Sequence, residues 1–128
     1  MIYVVHGIYI ENKSLLVLKK GKEYIFPGGK RNLGELDKKC LEREVSEELS
    51  DSKIIVGKYY KTFFGITPNS KMDLIDKTYF IYFENFIGEP SAEINEKRFV
   101  NSKNLPNLNL TEISRKILTS LIKEGLIK

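Results

Sequence analysis

Cysteine and histidine occur once each in this sequence, as Cys40 and His6, and proline only four times. One cysteine excludes an internal disulfide, and one histidine in a strand-like run cannot build a metal cluster, so His6 is expected as a core or hydrogen-bonded side chain. No apolar run approaches the length of a membrane span. The opening MIYVVHGIYI also lacks the charged leader, apolar centre and small-residue cleavage site of a secretory signal. These absences lead to the expectation of a cytoplasmic protein with no membrane partner. No groove-reading motif or basic helix is visible, which argues against double-stranded DNA as a partner. Repeats, linkers and low-complexity tails are missing too, so residues 1–128 are expected to form a single domain.

What is present is an ordinary globular composition, 41% hydrophobic and 30% charged over 128 residues. The net charge of +4 is spread over short groups such as Lys19-Lys20, Lys30-Arg31, Lys38-Lys39 and Lys97-Arg98. Scattered lysines mostly keep a surface solvated; of these groups Lys30-Arg31 is best placed to attract a polyanionic substrate.

The chain is organised around residues 26–49, FPGGKRNLGELDKKCLEREVSEEL. At about 100° per residue, Glu44, Glu47 and Glu48 share one face of a helix, beside an apolar stripe of Leu41, Val45 and Leu49. Like charges crowded in this way repel, unless a cation sits among them. Oxygen-only ligands select a hard ion, Mg²⁺ first and Mn²⁺ next, and Mg²⁺ keeps positions open for substrate phosphates. Arg43 can fork onto a carboxylate and fix it. Ahead of the helix, Pro27-Gly28-Gly29 is expected as a sharp turn whose backbone approaches the ligand closely, with a carbonyl of Gly28 or Gly29 completing the metal shell. Cys40 is expected to be a small residue packed beneath.

The same residues resemble the Nudix box, G-x5-E-x7-R-E-U-x-E-E-x-G-U with U aliphatic. Gly29, Glu35, Arg43, Glu44, Val45, Glu47 and Glu48 match, and Phe26-Pro27-Gly28 is the usual lead-in. Ser50 and Asp51 depart from the closing Gly and aliphatic residue, and Ser50 is expected to occupy a helix-end position that prefers glycine. The resemblance implies an α/β/α sandwich with a mixed β-sheet and a loop-helix-loop catalytic motif over the whole chain. It implies Mg²⁺, or Mn²⁺, held by Glu44, Glu47 and Glu48. Arg43 would orient a glutamate, and Glu35 would anchor loop to helix. A glutamate in a later loop joins as metal ligand or base in such proteins; Glu93 is the first candidate and Glu96 the second. The general base stays open between Glu44 and Glu93.

In chain order, residues 2–10 and 14–18 are expected to pair as a hairpin, whose exposed edge would be available for a homodimer. A short strand at 24–26 leads into the box, and a helix is expected over 37–49. Strands follow at 53–64 and 74–84, dense in Tyr and Phe. They serve sheet packing and offer ring faces, Phe64 among them, for a nucleotide base. The polar connection 65–73 is a specificity loop, in which Pro68 lies near the proline of ADP-ribose-cleaving relatives. A loop at 88–96, a strand at 97–100 and a helix at 111–124 complete the chain, the last capped by Thr111 and stopped by Gly125.

The expected activity is Mg²⁺-dependent hydrolysis of a nucleoside diphosphate linked to another group, by water attack on phosphorus. Its substrate is a (d)NTP, oxidised or not, or an ADP-ribose-like molecule, contacted by Lys30, Arg31, Phe64 and Pro68. The alternative is a non-catalytic sensor of the same fold that binds a nucleotide or RNA.

Overall fold

The computed structural model describes residues 1–67 and 70–128. Along the chain come β1 (Ile2–Ile8), β2 (Ile10–Glu11), β3 (Ser14–Lys20), β4 (Glu23–Ile25), β5 (Gly28–Lys30), α1 (Asp37–Glu48), β6 (Ile54–Ile66), β7 (Asp73–Phe83), β8 (Ile94–Val100) and α2 (Glu112–Lys123). One sheet has the order β5-β1-β7-β6 and is mixed, because β1 runs parallel to β7 while the other pairs are antiparallel. In the second sheet β3 pairs with β2, β4 and β8.

Leu15, Leu16, Val17 and Leu18 are all fully buried, a run without polar alternation. Such a run marks a strand covered on both faces. Accordingly Leu15 and Val17 join Ile8, Phe26 and the α2 residues Ile117, Leu118 and Leu121 in one core. Leu16 and Leu18 join Val5, Ile81 and the α1 residues Cys40, Leu41 and Val45 in another. Each helix thus has its own core, and β3 is common to both. Among the described residues no helix is long and apolar enough to cross a membrane.

The expected N-terminal hairpin is only partly present. Ile10 and Glu11 pair with β3 across a turn in which Asn12 and Lys13 have φ of 52° and 63°. β1 instead lies inside the mixed sheet, with Val4 opposite Asp76 and His6 opposite Thr78. Local alternation says which residues face inward but not which distant strand they pair with, and a parallel partner is always distant in sequence. The hairpin edge pictured as a dimer contact is therefore two residues long. The last strand also starts earlier than expected, at Ile94, so Glu96 lies in β8, where its carboxylate accepts the Tyr24 hydroxyl at 2.9 Å.

Helix α2 follows its sequence pattern closely. Thr111 caps it, Oγ1 accepting the Ser114 N–H at 3.3 Å, and Gly125 closes it with φ 76°. Thr111→Ala is expected to lower unfolding stability by about 1 kcal/mol, read from the urea midpoint; an unchanged midpoint would show the cap to be idle. At the end of α1, the left-handed position is Asp51, with φ 58°, and not Ser50 as expected from the box. Aspartate tolerates that region better than most residues.

Candidate active site

The Pro27-Gly28-Gly29 segment bends at Pro27 and re-enters a sheet as the edge strand β5, where a sharp turn was expected. The glycines are needed because of what lies on either side. Gly28 has φ 134°, and a Cβ there would stand 2.1 Å from the Val5 carbonyl oxygen. At Gly29 a Cβ would stand 2.6 Å from the carboxyl carbon of Glu44. The strand is pressed between β1 and a side chain of α1.

Of the α1 carboxylates, Glu48 is the most enclosed, only 6% exposed, and its Oε1 accepts the Gly28 N–H at 2.9 Å. Burial pushes its pKa up to about 8, an effect the Gly28 N–H and the nearby His6 only partly offset. Glu44 accepts from Arg43 Nη1 at 2.9 Å. The same guanidinium grips Glu35 through Nε at 2.8 Å and Nη2 at 2.9 Å, and reaches the Lys30 carbonyl at 3.2 Å. These bonds, with the Asn32 N–H, hold the Glu35 carboxyl down to about 2. Arg43 thereby ties the box loop to the helix in two places, which a lysine could not do. Glu47 points outward, with a 57% exposed side chain 3.8 Å from Arg43 Nη1. Cys40 is buried under the strand, its thiol donating to the Gly29 carbonyl at 3.6 Å; burial pushes it up to about 12, so it is an inert packing group.

A cavity of about 590 Å³ opens beside these groups, lined by Gly28, Gly29, Lys30, Glu44, Glu48 and His6. Val4, Ile25, Ile66, Leu74 and Ile113 give it an apolar wall, while Lys20, Glu23, Glu93, Thr111 and Glu112 are polar. Glu93 is brought there because its loop docks on the end of α1, Ser91 bonding the Glu48 and Glu47 carbonyls at 2.9 and 2.5 Å. It sits exposed, 3.6 Å from Lys20.

The other proposed substrate contacts lie elsewhere. Arg31 lines a separate hollow, bonded to Asp37 at 2.7 Å and stacked 5.0 Å from the Tyr3 ring. Phe64 is 63% exposed and does not line the cavity, and Pro68 lies outside the described residues. Tyr60, Phe63 and Phe80 pack against the α2 core, and among the described residues no Tyr or Phe ring lines the cavity. Sequence reasoning missed Lys20, Glu23 and Glu112, which only the folding together of distant segments brings in.

The donor set fits a hard divalent cation in its chemistry: every donor is an oxygen, and the Gly28 N–H and nearby His6 leave the buried Glu48 anion under-compensated, which a cation would correct. Because the Gly29 carbonyl already receives the Cys40 thiol, Gly28 is the better placed backbone donor. Among the described residues, however, no three acidic, histidine or cysteine side chains converge closely enough to hold an ion as they stand.

The raised Glu48 predicts a pH dependence. Its folded pKa of about 8 exceeds the ordinary 4.5, so the stability it contributes is complete below about 4.5 and is lost as pH rises towards about 8. In EDTA, the Tm of the protein is expected to fall across that window relative to Glu48→Gln, and Mg²⁺ to restore it more at pH 8 than at pH 5. Parallel Tm curves for the two proteins would contradict the assignment.

No family model matches the sequence, and no curated protein matches it. Solved structures do match. One described as a Nudix hydrolase family member from Chromobacterium violaceum is 28% identical, covers 96% of this chain and 77% of its own, and superposes with a TM-score of 0.75. A MutT protein from Methanosarcina mazei Go1, 20% identical, covers 97% and 94% with a TM-score of 0.81. An ADP-ribose pyrophosphatase from Streptococcus suis, 13% identical, covers 97% and 90% with a TM-score of 0.71. The chain is therefore a mixed α/β protein with sheets between two helices. Its fold is that of the Nudix hydrolases, so the resemblance carried by residues 26–49 holds across nearly the whole chain.

Proposed function

We propose that the protein is a Mg²⁺-dependent pyrophosphohydrolase, also served by Mn²⁺, that cleaves a nucleoside diphosphate linked to another group. The observation that carries this reading is Glu48: a carboxylate buried at a cavity wall, its pKa driven up by burial, beside Glu44 fixed by Arg43. Glu44, Glu48 and the Gly28 backbone would hold the ion, with Glu47 and Glu93 as outer candidates. The bound ion supplies Lewis-acid stabilisation of phosphate charge and lowers the pKa of water. Arg43 sets the Glu44 rotamer, and Glu35 fixes the loop through Asn32. Lys20 and Lys30 offer positive charge to the phosphates, and the apolar wall of Val4, Ile25, Ile66, Leu74 and Ile113 covers the remaining group and excludes water. Glu44 is the first choice of general base and Glu93 the second.

The substrate is a small nucleotide, a (d)NTP or an ADP-ribose-like molecule, in keeping with the cavity volume of about 590 Å³. The test is product release from a panel of (d)NTPs, 8-oxo-dGTP, ADP-ribose and dinucleoside polyphosphates, with Mg²⁺ and with EDTA. Cleavage that EDTA abolishes is expected. The spread acidic side chains favour a second reading, a sensor that binds nucleotide without cleaving it. Saturable binding in Mg²⁺ with no product after prolonged incubation would select that one.

A further inference from the structure

The cavity lining has two chemically different parts. The first holds Glu44, Glu48 and Gly28 together with the cationic and ring donors around them. Lys20 is near enough to Glu48 to lower its pKa, and Lys30 follows Gly29 on β5. His6, bonded through Nδ1 to Asp76 at 2.5 Å, is the strand partner of Gly28. In the second part, five elements each contribute one aliphatic side chain: Val4 from β1, Ile25 from β4, Ile66 from β6, Leu74 from β7 and Ile113 from α2. Ile66 is 54% exposed, and Val4, Ile25 and Leu74 are half-buried, so this surface is apolar yet open to water. Gly65 keeps β6 and α2 close there: a Cβ on it would stand 3.4 Å from Ile113 Cδ1. Covering such a wall with an apolar group is favourable in itself.

The wall suits an aliphatic group better than a nucleobase. Every base carries ring or carbonyl acceptors, so burying one takes hydrogen-bond donors at its edge, and a facing ring strengthens its hold. Among the described residues no Tyr or Phe ring lines the cavity. The polar side chains outside the carboxylate part are already engaged or are acceptors only. Glu23 and Glu112 are carboxylates, and Glu112 faces Lys116 at 3.5 Å. The Thr111 hydroxyl is given to Ser114 Oγ at 2.8 Å as part of the α2 cap. The Thr67 hydroxyl is bonded to Ser70 Oγ at 2.5 Å and accepts the Met72 N–H at 2.9 Å. Acceptors of a buried base would find no uncommitted side-chain donor among these, a penalty that a hydrocarbon chain does not carry.

We propose that the cavity also takes an alkyl diphosphate, in which a branched aliphatic chain replaces the nucleoside and lies along Val4, Ile25, Ile66, Leu74 and Ile113. The proposal rests on the hydrolase reading for the diphosphate end alone. In the reaction the oxygen of water joins one phosphorus and the P–O–P bridge breaks, while the C–O bond stays intact. The products are an alkyl monophosphate and inorganic phosphate, and the proton released passes through the base to solvent. Each methylene covered by the wall adds a similar increment of binding, so the preference grows with the chain.

The test measures product release from isopentenyl and geranyl diphosphate beside the nucleotide panel, in Mg²⁺ and in EDTA. Alkyl monophosphate that forms only with Mg²⁺ is expected, with kcat/KM about tenfold or more higher for the longer geranyl chain. Ile66→Ser, at an exposed wall position, is expected to lower kcat/KM about threefold or more for geranyl diphosphate, and less for isopentenyl diphosphate. Should that variant fail to fold, the comparison of chain lengths decides alone. Cleavage of nucleotides with both alkyl diphosphates left intact would overturn the proposal and leave the hydrolase reading standing. Equal kcat/KM for the two chains, or equal losses on both in Ile66→Ser, would overturn it in the same way. A protein that cleaves neither nucleotides nor alkyl diphosphates in Mg²⁺ would overturn both.

Discussion

Glu48→Gln is expected to lower kcat/KM by about two to four orders of magnitude while the protein stays folded. The fold survives because the glutamine carbonyl can accept the Gly28 N–H that Glu48 now accepts at 2.9 Å. Activity does not, because a neutral amide removes the charge that would bind the cation and puts a donor where a ligand is required. Glu47→Gln is expected to do less, since that side chain is 57% exposed and lies outside the cavity lining. Equal losses at the two positions would mean that the helix turns its carboxylates differently when metal is bound. Full activity in Glu48→Gln would remove this residue from the metal site.

Gly28→Ala should have the largest effect on stability. Its φ of 134° lies where L-residues are strained, and the new Cβ would meet a backbone atom, the Val5 carbonyl oxygen, at 2.1 Å. A side chain could swing aside; the middle of β1 cannot, because it is hydrogen-bonded in the sheet between β5 and β7. We expect a loss of about 3 kcal/mol or more, against a total of about 5–15 kcal/mol for a domain of this size. This corresponds to a Tm lower by about 10 °C or more. A Tm within about 1 °C of wild type would show that β5 can leave β1 without harm.

The parts of this molecule that were legible in advance are those encoded by local spacing. The helix expected at 37–49 is found at Asp37–Glu48, and α2 lies within one residue of its expected ends, because a 3.6-residue period marks both and Thr111 caps the second. The box register placed Arg43, Glu44 and Glu48 near one another for the same reason. Pairing between distant strands was not legible. The central place of β1 beside β7, the seating of Glu93 by Ser91 and the early start of β8 each depend on segments far apart in sequence. The Tyr and Phe rings of the aromatic strands turn to the core or to solvent and offer no base site there; the cavity wall beside the carboxylates is aliphatic. The His6–Asp76 pair did leave a trace, since Asp76 and Thr78 are polar residues at the inward positions of the run Leu74, Asp76, Thr78, Phe80. Single-residue alternation shows such a polar position without naming its partner.

Uptake of a divalent cation by this acidic site is the property on which the hydrolase reading stands or falls. Titration of Mn²⁺ into the wild-type protein, followed by the electron paramagnetic resonance signal of the free ion, measures that without reference to any substrate. Saturable loss of the free signal, restored by excess Mg²⁺ and absent in Glu48→Gln, is the expected result. A free Mn²⁺ signal unchanged by the wild-type protein, with pyrophosphate present or absent, would contradict it.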